Sequence, residues 1–178
     1  MSGVGVIEGD RLYLRDVRDE DVTASYVSWL NDPQVNQFLE TRFRMQTAAD
    51  ILQYVRAMRE KPESVFLAIV RKGDDRHLGN LHIGAIDRVH KTATLALVIG
   101  EKSAWGQGFG SEAIRLATRH AFERLGLHKL TARCYANNEG SKRAFLKAGW
   151  SEEGRQREQF LSDGKYTDGI WLGIVADR

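Results

Sequence analysis

The residues best suited to chemistry form a glycine-rich stretch at positions 104–113, Ala-Trp-Gly-Gln-Gly-Phe-Gly-Ser-Glu-Ala. Glycine lets a ligand lie close against the main chain, and backbone N–H groups at the start of a following helix favour an anion. The stretch therefore predicts a phosphate-binding loop. It lacks the lysine of a Walker loop, and Ser111 stands where a dinucleotide fingerprint requires glycine. A glycine-rich surface turn that binds nothing is the alternative.

A second stretch, at positions 137–150, follows a short apolar segment and carries Asn138, Ser141, Gly149 and Trp150. It resembles the Asn-x-x-Ser helix, ending in Gly-Phe, of the GNAT superfamily of acyl-CoA N-acyltransferases. The first stretch resembles the Q/R-x-x-G-x-G/A pyrophosphate loop of the same superfamily, except that Trp105 stands where the motif begins with Gln or Arg. The resemblance covers nearly the whole chain. It is closest to the branch of ribosomal-protein N-terminal (alanine) acetyltransferases and their small-molecule relatives.

This resemblance implies acetyl-CoA as the co-substrate. It also implies that the pantetheine arm lies along the strand before the loop, with a backbone N–H near Val98 or Ile99 directed at the thioester carbonyl. The residues assigned to the cofactor on this basis are Val98, Ile99, Trp105, Gly106, Gln107, Gly108, Phe109, Gly110, Ser111, Asn138, Ser141 and Phe145.

Ser141 is the first catalytic candidate, because the resemblance places it close to the sulfur, where its hydroxyl would hydrogen-bond the developing thiolate and relay a proton. Helix capping together with Asn138 is the alternative role. Many members of the superfamily use a tyrosine at the position of Phe145, so that route is absent here. His82 and Glu101 are the candidates for a general base. Their alternatives are a structural histidine and a solvated loop charge.

The segment at positions 29–38 is rich in aromatic and amide side chains, and loops of that composition often recognise ligands. Packing of Trp29 and Phe38 into the core is the alternative. The candidates for the acceptor site are Trp29, Phe38, Arg42 and, by its position in the superfamily, Tyr166.

The expected reaction is direct attack by the primary amine of a small molecule on acetyl-CoA. An amino-sugar nucleotide or a polyamine is expected as the acceptor, because the segment from position 29 to position 41 resembles GNAT members that acetylate nucleotide-linked amino sugars. A protein N-terminus is the alternative acceptor. A non-catalytic, acyl-CoA-binding regulatory domain is a second alternative, since the sequence identifies no certain base.

Composition predicts an ordinary globular chain: 178 residues, 42% hydrophobic, 28% charged and a formal net charge of +2. We expect one domain spanning residues 1–178. So small a net charge gives no reason to expect a nucleic acid. The single cysteine, Cys134, excludes an internal disulfide, and no metal-binding motif is present. With no signal-peptide pattern and no membrane-length apolar run, we expect a cytoplasmic protein without a membrane partner. The sequence does not determine the oligomeric state, and a homodimer is one of the states it allows.

Apolar spacing places the motifs on secondary structure. Strands are predicted at residues 11–15, 65–70, 77–86, 92–99, 130–135, 153–160 and 166–174. Helices are predicted from a cap at Asp19 through Leu30, at residues 48–59, after the glycine-rich loop as far as Gly126, and between Asn138 and Gly149. The pattern and the resemblance together predict an α+β (α/β) fold with a mixed, mostly antiparallel, seven-stranded sheet and helices on both faces.

Overall fold

The computed structural model describes residues 4–177, and within them the chain forms eight strands and five α-helices. The strands are β1 (Ile7–Glu8), β2 (Leu12–Asp16), β3 (Val65–Arg71), β4 (His77–Asp87), β5 (Thr92–Ile99), β6 (Lys129–Tyr135), β7 (Ser151–Ser162) and β8 (Lys165–Val175). The helices are α1 (Ala24–Asn31), α2 (Pro33–Asn36), α3 (Ala48–Glu60), α4 (Phe109–Glu123) and α5 (Glu139–Lys147). Short 3-10 turns occur at Asp19–Asp21, Glu40–Phe43 and Lys102–Ala104.

All eight strands belong to one sheet, in the order β1-β2-β3-β4-β5-β6-β8-β7. Neighbouring strands are antiparallel except β5 and β6, which run parallel. Those two strands are paired only where Thr92, Ala93 and Thr94 face Lys129, Leu130 and Thr131. Beyond these three pairs the strands separate, so the sheet opens between residues 95–99 and residues 132–135.

Two apolar cores cover opposite faces of the sheet. On one face α4 and α5 pack against the strands, with Leu81, Ile114 and Leu130 fully buried. On the other face α1 and α3 cover β3, and Trp29 and Val55 belong to that second core. Helices therefore lie on both faces, which confirms the predicted mixed, mostly antiparallel architecture.

The predicted count of seven strands is wrong, because β1 adds an eighth at the edge of the sheet. Ile7 and Glu8 pair with Leu14 and Tyr13 of β2. A strand of two residues is too short to show the alternation by which strands are recognised in sequence. The whole-chain domain boundary stays a prediction, and residues 1–3 and 178 lie outside the described part.

The predicted capping of the first helix by Asp19 is also wrong. Asp19 begins a 3-10 turn, whereas α1 starts at Ala24 behind Thr23, whose side chain accepts from the N–H of Tyr26 at 3.4 Å. Asp19 instead pairs with two arginines of α3, Arg56 and Arg59, each at 2.7 Å. A carboxylate held by partners from a distant helix is not available to cap its own.

We predict that Asp21→Asn destabilises the fold by about 2 kcal/mol, because it uncouples a buried pair. Asp21 is 7% exposed, and both its oxygens accept from Arg15 at 2.7 Å. Burial alone would raise the pKa of Asp21, but hydrogen bonds from Arg15 and from the N–H of Arg18 hold it below its ordinary value. Urea unfolding at neutral pH measures the loss.

The pH dependence supplies the check. A lowered folded-state pKa contributes stability above the ordinary value of about 3.9, and that contribution is lost as the pH falls. The gap between wild type and Asp21→Asn should therefore narrow below about pH 4. Asp19→Asn removes a carboxylate whose side chain is 32% exposed, against 8% for that of Asp21, and should cost less at neutral pH. Equal losses in the two variants would contradict the assignment.

Candidate active site

The glycine-rich loop leaves backbone N–H groups open at the start of α4. Gly106 and Gly108 adopt φ values of +73° and +84°, the left-handed region that glycine enters without strain. Gly108 is the N-cap of α4, and it has no side chain with which to cap the helix. Phe109, Gly110 and Ser111 occupy the first turn, where N–H groups lack partners within the helix. A 15-residue helix that begins with such a turn is suited to binding an anion there.

The loop is fastened to the end of β5. The indole Nε1 of Trp105 donates to the carbonyl of Ile99 at 2.7 Å, and the side-chain amide of Gln107 donates to the carbonyl of Ser103. A Cβ added at Gly110 would lie 3.8 Å from side chains of β5 and α5, so the helix start fits closely against both elements. The side chain of Trp105 thus tethers the loop to the strand.

The free edge of β5 has donors directed at the opening in the sheet. Gly100 donates to Leu78 at 2.9 Å, and Val98 faces Asn80 across β4 and β5. Hydrogen bonding in an antiparallel pair alternates, so the N–H of Val98 is directed at β4 and that of Ile99 away from it. Of the two positions predicted for the thioester, Ile99 has the donor that points towards β6. Leu97, two residues earlier, has a second such donor that the sequence reasoning missed.

The start of α5 forms the other side of the opening. The side chain of Asn138 accepts from the N–H of Ser141 at 3.1 Å, as the predicted cap requires. The hydroxyl of Ser141 has no hydrogen-bond partner within residues 4–177. Phe145, one turn later, is 2% exposed and packs against Trp150 with ring centroids 4.8 Å apart. Capping is therefore done by Asn138, and the Ser141 hydroxyl is left for another role.

The two base candidates are both engaged by neighbours. His82 shares a 2.8 Å hydrogen bond between its Nε2 and the hydroxyl of Ser64, and burial together with the charge of Lys61 lowers its pKa. Glu101 accepts from the Ser103 hydroxyl and pairs with Arg76, both at 2.6 Å. The Ser103 hydrogen bond and the charge of Arg76 lower the pKa of Glu101, which weakens it as a base.

The four acceptor candidates do not lie together. Trp29 is 8% exposed, and a Cβ on Gly100 would come within 2.1 Å of its ring, so it packs in the second core. Tyr166 is 70% exposed near the start of β8. Phe38 and Arg42, in contrast, both approach Tyr135: the Phe38 ring lies 5.5 Å from it, and the Arg42 guanidinium lies 5.2 Å from its centroid.

Tyr135 is the centre of a group that we name the acceptor cluster, which consists of Phe38, Glu40, Arg42, Tyr135 and Phe160. Phe38 and Arg42 were predicted from the sequence, whereas Glu40, Tyr135 and Phe160 were not. Tyr135 ends β6 beside the opening, and its hydroxyl donates to Glu40 at 2.8 Å. Its ring stacks on Phe160 at 4.1 Å and 16°. Burial, and then the Glu40 hydrogen bond, raise the pKa of Tyr135, so the hydroxyl stays protonated at neutral pH.

The guanidinium of Arg42 connects two segments of the chain within this cluster. It donates to the carbonyl of Leu39 at 2.9 Å and to that of Leu161 at 2.7 Å, which joins the 3-10 turn to β7. Glu40 is exposed, and it keeps acceptor capacity beyond the Tyr135 bond. The cluster therefore combines aromatic walls with one accessible carboxylate.

An irregularity in β7 positions Phe160. The β7–β8 register moves from Gln156 opposite Gly169 to Phe160 opposite Thr167, which inserts extra residues opposite Asp168. Asp168 holds the inserted residues by accepting from the N–H of Glu158, whose φ is +52°, at 2.9 Å. A Cβ on Gly169 would lie 3.0 Å from the Phe160 ring, so glycine makes room for it. Bulges commonly re-aim side chains beside active sites.

The comparisons with known proteins agree with this geometry. The sequence profile of the acetyltransferase (GNAT) domain matches residues 11–151. The chain is 28% identical over 174 residues to a protein of Bacillus subtilis named uncharacterized N-acetyltransferase YoaA, covering 97% of this chain and 98% of that one.

Two solved structures share the fold at low identity. Spermidine N-acetyltransferase from Vibrio cholerae, in complex with CoA and spermine, superposes with a TM-score of 0.83 at 19% identity, covering 94% of this chain and 96% of that one. The ribosomal L7/L12 α-N-protein acetyltransferase RimL, in complex with CoA, gives a TM-score of 0.83 at 17% identity, covering 97% and 98%.

Two further findings concern residues 4–177. They contain no group of three or more His, Cys, Asp or Glu side chains placed to hold a metal ion. No helix among them has the length and apolar character needed to cross a membrane.

Proposed function

Because the chain belongs to the GNAT family of acetyltransferases, we propose that it transfers the acetyl group of acetyl-CoA to a primary amine of a small molecule. One observation carries the proposal: the glycine-rich loop at the start of α4 adjoins the strand whose free edge lines the opening in the sheet. A diphosphate at the loop and an extended amide chain along that edge would satisfy both sets of N–H groups. CoA has these two parts in that order.

The chemical step needs a donor for the oxygen of the thioester. The N–H of Ile99 serves that role in this proposal, because it points towards the opening. A fixed backbone donor of this kind stabilises the oxyanion of a tetrahedral intermediate by about 3 kcal/mol in other acyl transfers. The nitrogen of the neutral amine forms a bond to the carbonyl carbon as the carbonyl double bond opens to the oxyanion. The carbonyl then re-forms as the carbon–sulfur bond breaks, and the proton lost by the nitrogen is passed to the leaving thiolate to give free CoA.

Ser141 has the role of hydrogen-bonding the leaving thiolate and relaying a proton to it. Its hydroxyl has no partner among the described residues, and Phe145 cannot replace it as a proton donor. Transfer through an acyl-cysteine is disfavoured, because burial raises the pKa of Cys134 to about 11 and keeps the thiol protonated. Direct attack by the amine is the route that these residues support.

The acceptor cluster supports a cationic acceptor. The carboxylate of Glu40 attracts an ammonium group, and the rings of Phe38, Tyr135 and Phe160 accommodate the methylene chain between two amines. This favours a polyamine over an amino-sugar nucleotide, because Glu40 repels a diphosphate and the Arg42 guanidinium already donates to the carbonyls of Leu39 and Leu161. The fold is shared equally with spermidine N-acetyltransferase and with RimL, so the choice of a polyamine rests on the acceptor cluster.

An amine panel tests the function directly. Purified protein is mixed with acetyl-CoA and, separately, with spermidine, an amino-sugar nucleotide and a short peptide that has a free N-terminus, and free CoA is measured. Turnover of spermidine supports the proposal. Turnover of the peptide alone would make a protein N-terminus, as for the protein acetyltransferase RimL, the acceptor in place of a small amine. Binding of acetyl-CoA without release of CoA from any mixture would indicate a regulatory domain.

We predict that Gly108→Val abolishes tight binding of acetyl-CoA, because the added side chain fills the concavity of the loop. The variant also strains the backbone at φ +84°, by about 1–2 kcal/mol. Gly126→Val is the matched control: it lies beyond the other end of α4, has φ +65° and meets nothing within 4 Å. Calorimetry should show affinity lost only in Gly108→Val, with similar melting temperatures for both. Unchanged affinity in a folded Gly108→Val protein would refute the cofactor assignment.

We predict that Ser141→Ala lowers kcat about 100-fold with little change in acetyl-CoA affinity, because its hydrogen bond strengthens only as charge develops on sulfur. Steady-state kinetics and a melting curve on one preparation measure both effects. The side chain of Asn138 caps α5, so the melting temperature should stay near that of wild type. A variant with full kcat and a stability loss of about 1 kcal/mol would instead assign Ser141 to capping.

We predict that Glu40→Gln raises the KM for spermidine about tenfold, because glutamine preserves the Tyr135 hydrogen bond but removes the negative charge. The KM for acetyl-CoA and kcat should change little. Glu60→Gln, at the exposed end of α3, controls for the loss of one surface charge. Equal spermidine KM values in the two variants would exclude Glu40 from the acceptor site.

A further inference from the structure

An arginine from the N-terminal strand region lies against the glycine-rich loop. Arg11, directly before β2, donates from Nη1 to the carbonyl of Gln107 at 2.8 Å, although the two residues are 96 positions apart. Its Nη2 lies 3.3 Å from the place where a Cβ on Gly108 would stand. Its guanidinium carbon lies 4.6 Å from the centroid of the Phe109 ring. One side chain therefore adjoins three consecutive residues of the loop.

A buried carboxylate holds Arg11 in that position. Glu112, in the first turn of α4, is 4% exposed and accepts from the backbone N–H of Arg11 at 2.8 Å, from its Nε at 3.0 Å and from the N–H of Leu12 at 3.3 Å. Burial alone would raise the pKa of Glu112, but these bonds hold it below its ordinary value. The carboxylate is therefore ionised at neutral pH and fixes the guanidinium before any ligand arrives.

The loop has no cation of its own. The position at which the resembled motif has Gln or Arg is Trp105, and the indole of Trp105 is engaged with the carbonyl of Ile99. The nearest basic residue before the loop, Lys102, pairs with Asp32 at 2.7 Å. Arg11 is different: its side chain is 50% exposed, and a guanidinium has more N–H groups than Glu112 and Gln107 use.

The geometry points to Arg11 as the cation of the cofactor site, a role that rests on the proposed function. Its bond to the Gln107 carbonyl occupies that oxygen, which would otherwise repel a phosphate. Its remaining N–H groups bind a phosphate of acetyl-CoA. Guanidinium suits this role because its planar donors match phosphate oxygens and its charge is permanent. The pyrophosphate and the 3′-phosphate of CoA share this chemistry.

The test compares Arg11→Gln with wild type on three acetyl donors: acetyl-CoA, its 3′-dephospho form, and S-acetylpantetheine, which lacks every phosphate. We expect the KM and the calorimetric Kd for acetyl-CoA to rise about 10-fold to 100-fold, with little change in kcat and none in the KM for S-acetylpantetheine. An equal loss with the dephospho donor assigns the contact to the pyrophosphate. A loss confined to acetyl-CoA assigns it to the 3′-phosphate.

Two further variants sharpen the test. Arg119→Gln is the matched control, because Arg119 also joins α4 to the N-terminal strands, through a 3.2 Å bond to the carbonyl of Glu8, but does so away from the loop. It should behave as wild type with all three donors. Arg11→Lys keeps the charge without the forked donors and should recover part of the acetyl-CoA affinity. If Arg11→Gln does not fold, Arg11→Lys takes its place. A rise in its KM for acetyl-CoA without a rise in its KM for S-acetylpantetheine supports the role of Arg11, and equal changes in the two KM values overturn it.

Equal losses with acetyl-CoA and S-acetylpantetheine, or no loss with either, would overturn the role of Arg11 while leaving the acetyltransferase intact. Failure of the wild-type protein to bind acetyl-CoA would instead overturn the proposed function and, with it, this inference.

Discussion

The separation of β5 and β6 is the constraint on which the rest of the structure depends. The two strands share three residue pairs and then diverge, so each has an edge along which no neighbouring strand pairs with its backbone groups. Backbone donors and acceptors are costly to leave without partners, which is why such an edge attracts either water or an extended ligand. The glycine-rich loop follows the β5 edge along the chain, and Tyr135 ends β6 beside the other edge.

The surrounding sheet keeps the edges apart. β5 is bonded along its other side to β4, and β6 is bonded along its length to β8, so neither strand can turn to meet the other. The loop adds to this arrangement on the β5 side through the bond from Trp105 to Ile99. On the β6 side, Tyr135 is held by Phe160 and Glu40. The opening is thus a fixed feature of the folded chain.

Sequence patterns predicted the parts of the protein that depend on neighbours in the chain. The long strands, the loop and the Asn138 cap follow from alternation, glycine spacing and capping preferences within a few residues. The contacts between Arg11 and Gln107 and between Tyr135 and Glu40 do not, because they join residues 96 and 95 positions apart. The bulge that aims Phe160 was missed for a related reason: it is defined by the register with β8.

The two halves of the proposed site differ in the groups they use, backbone on one side and side chains on the other, and this difference affects specificity. In the proposed site the cofactor side uses backbone N–H groups of Ile99 and the loop, which any sequence able to form the turn would supply. In the proposed site the acceptor side uses side chains, which come from the end of β6, from in and around a 3-10 turn and from a bulged strand. If the proposed roles hold, changes at Phe38, Glu40 or Phe160 alter which amine is accepted without altering how acetyl-CoA is held. Arg11 and Glu112 are the exceptions on the proposed cofactor side, because there the charge comes from side chains that a substitution would remove.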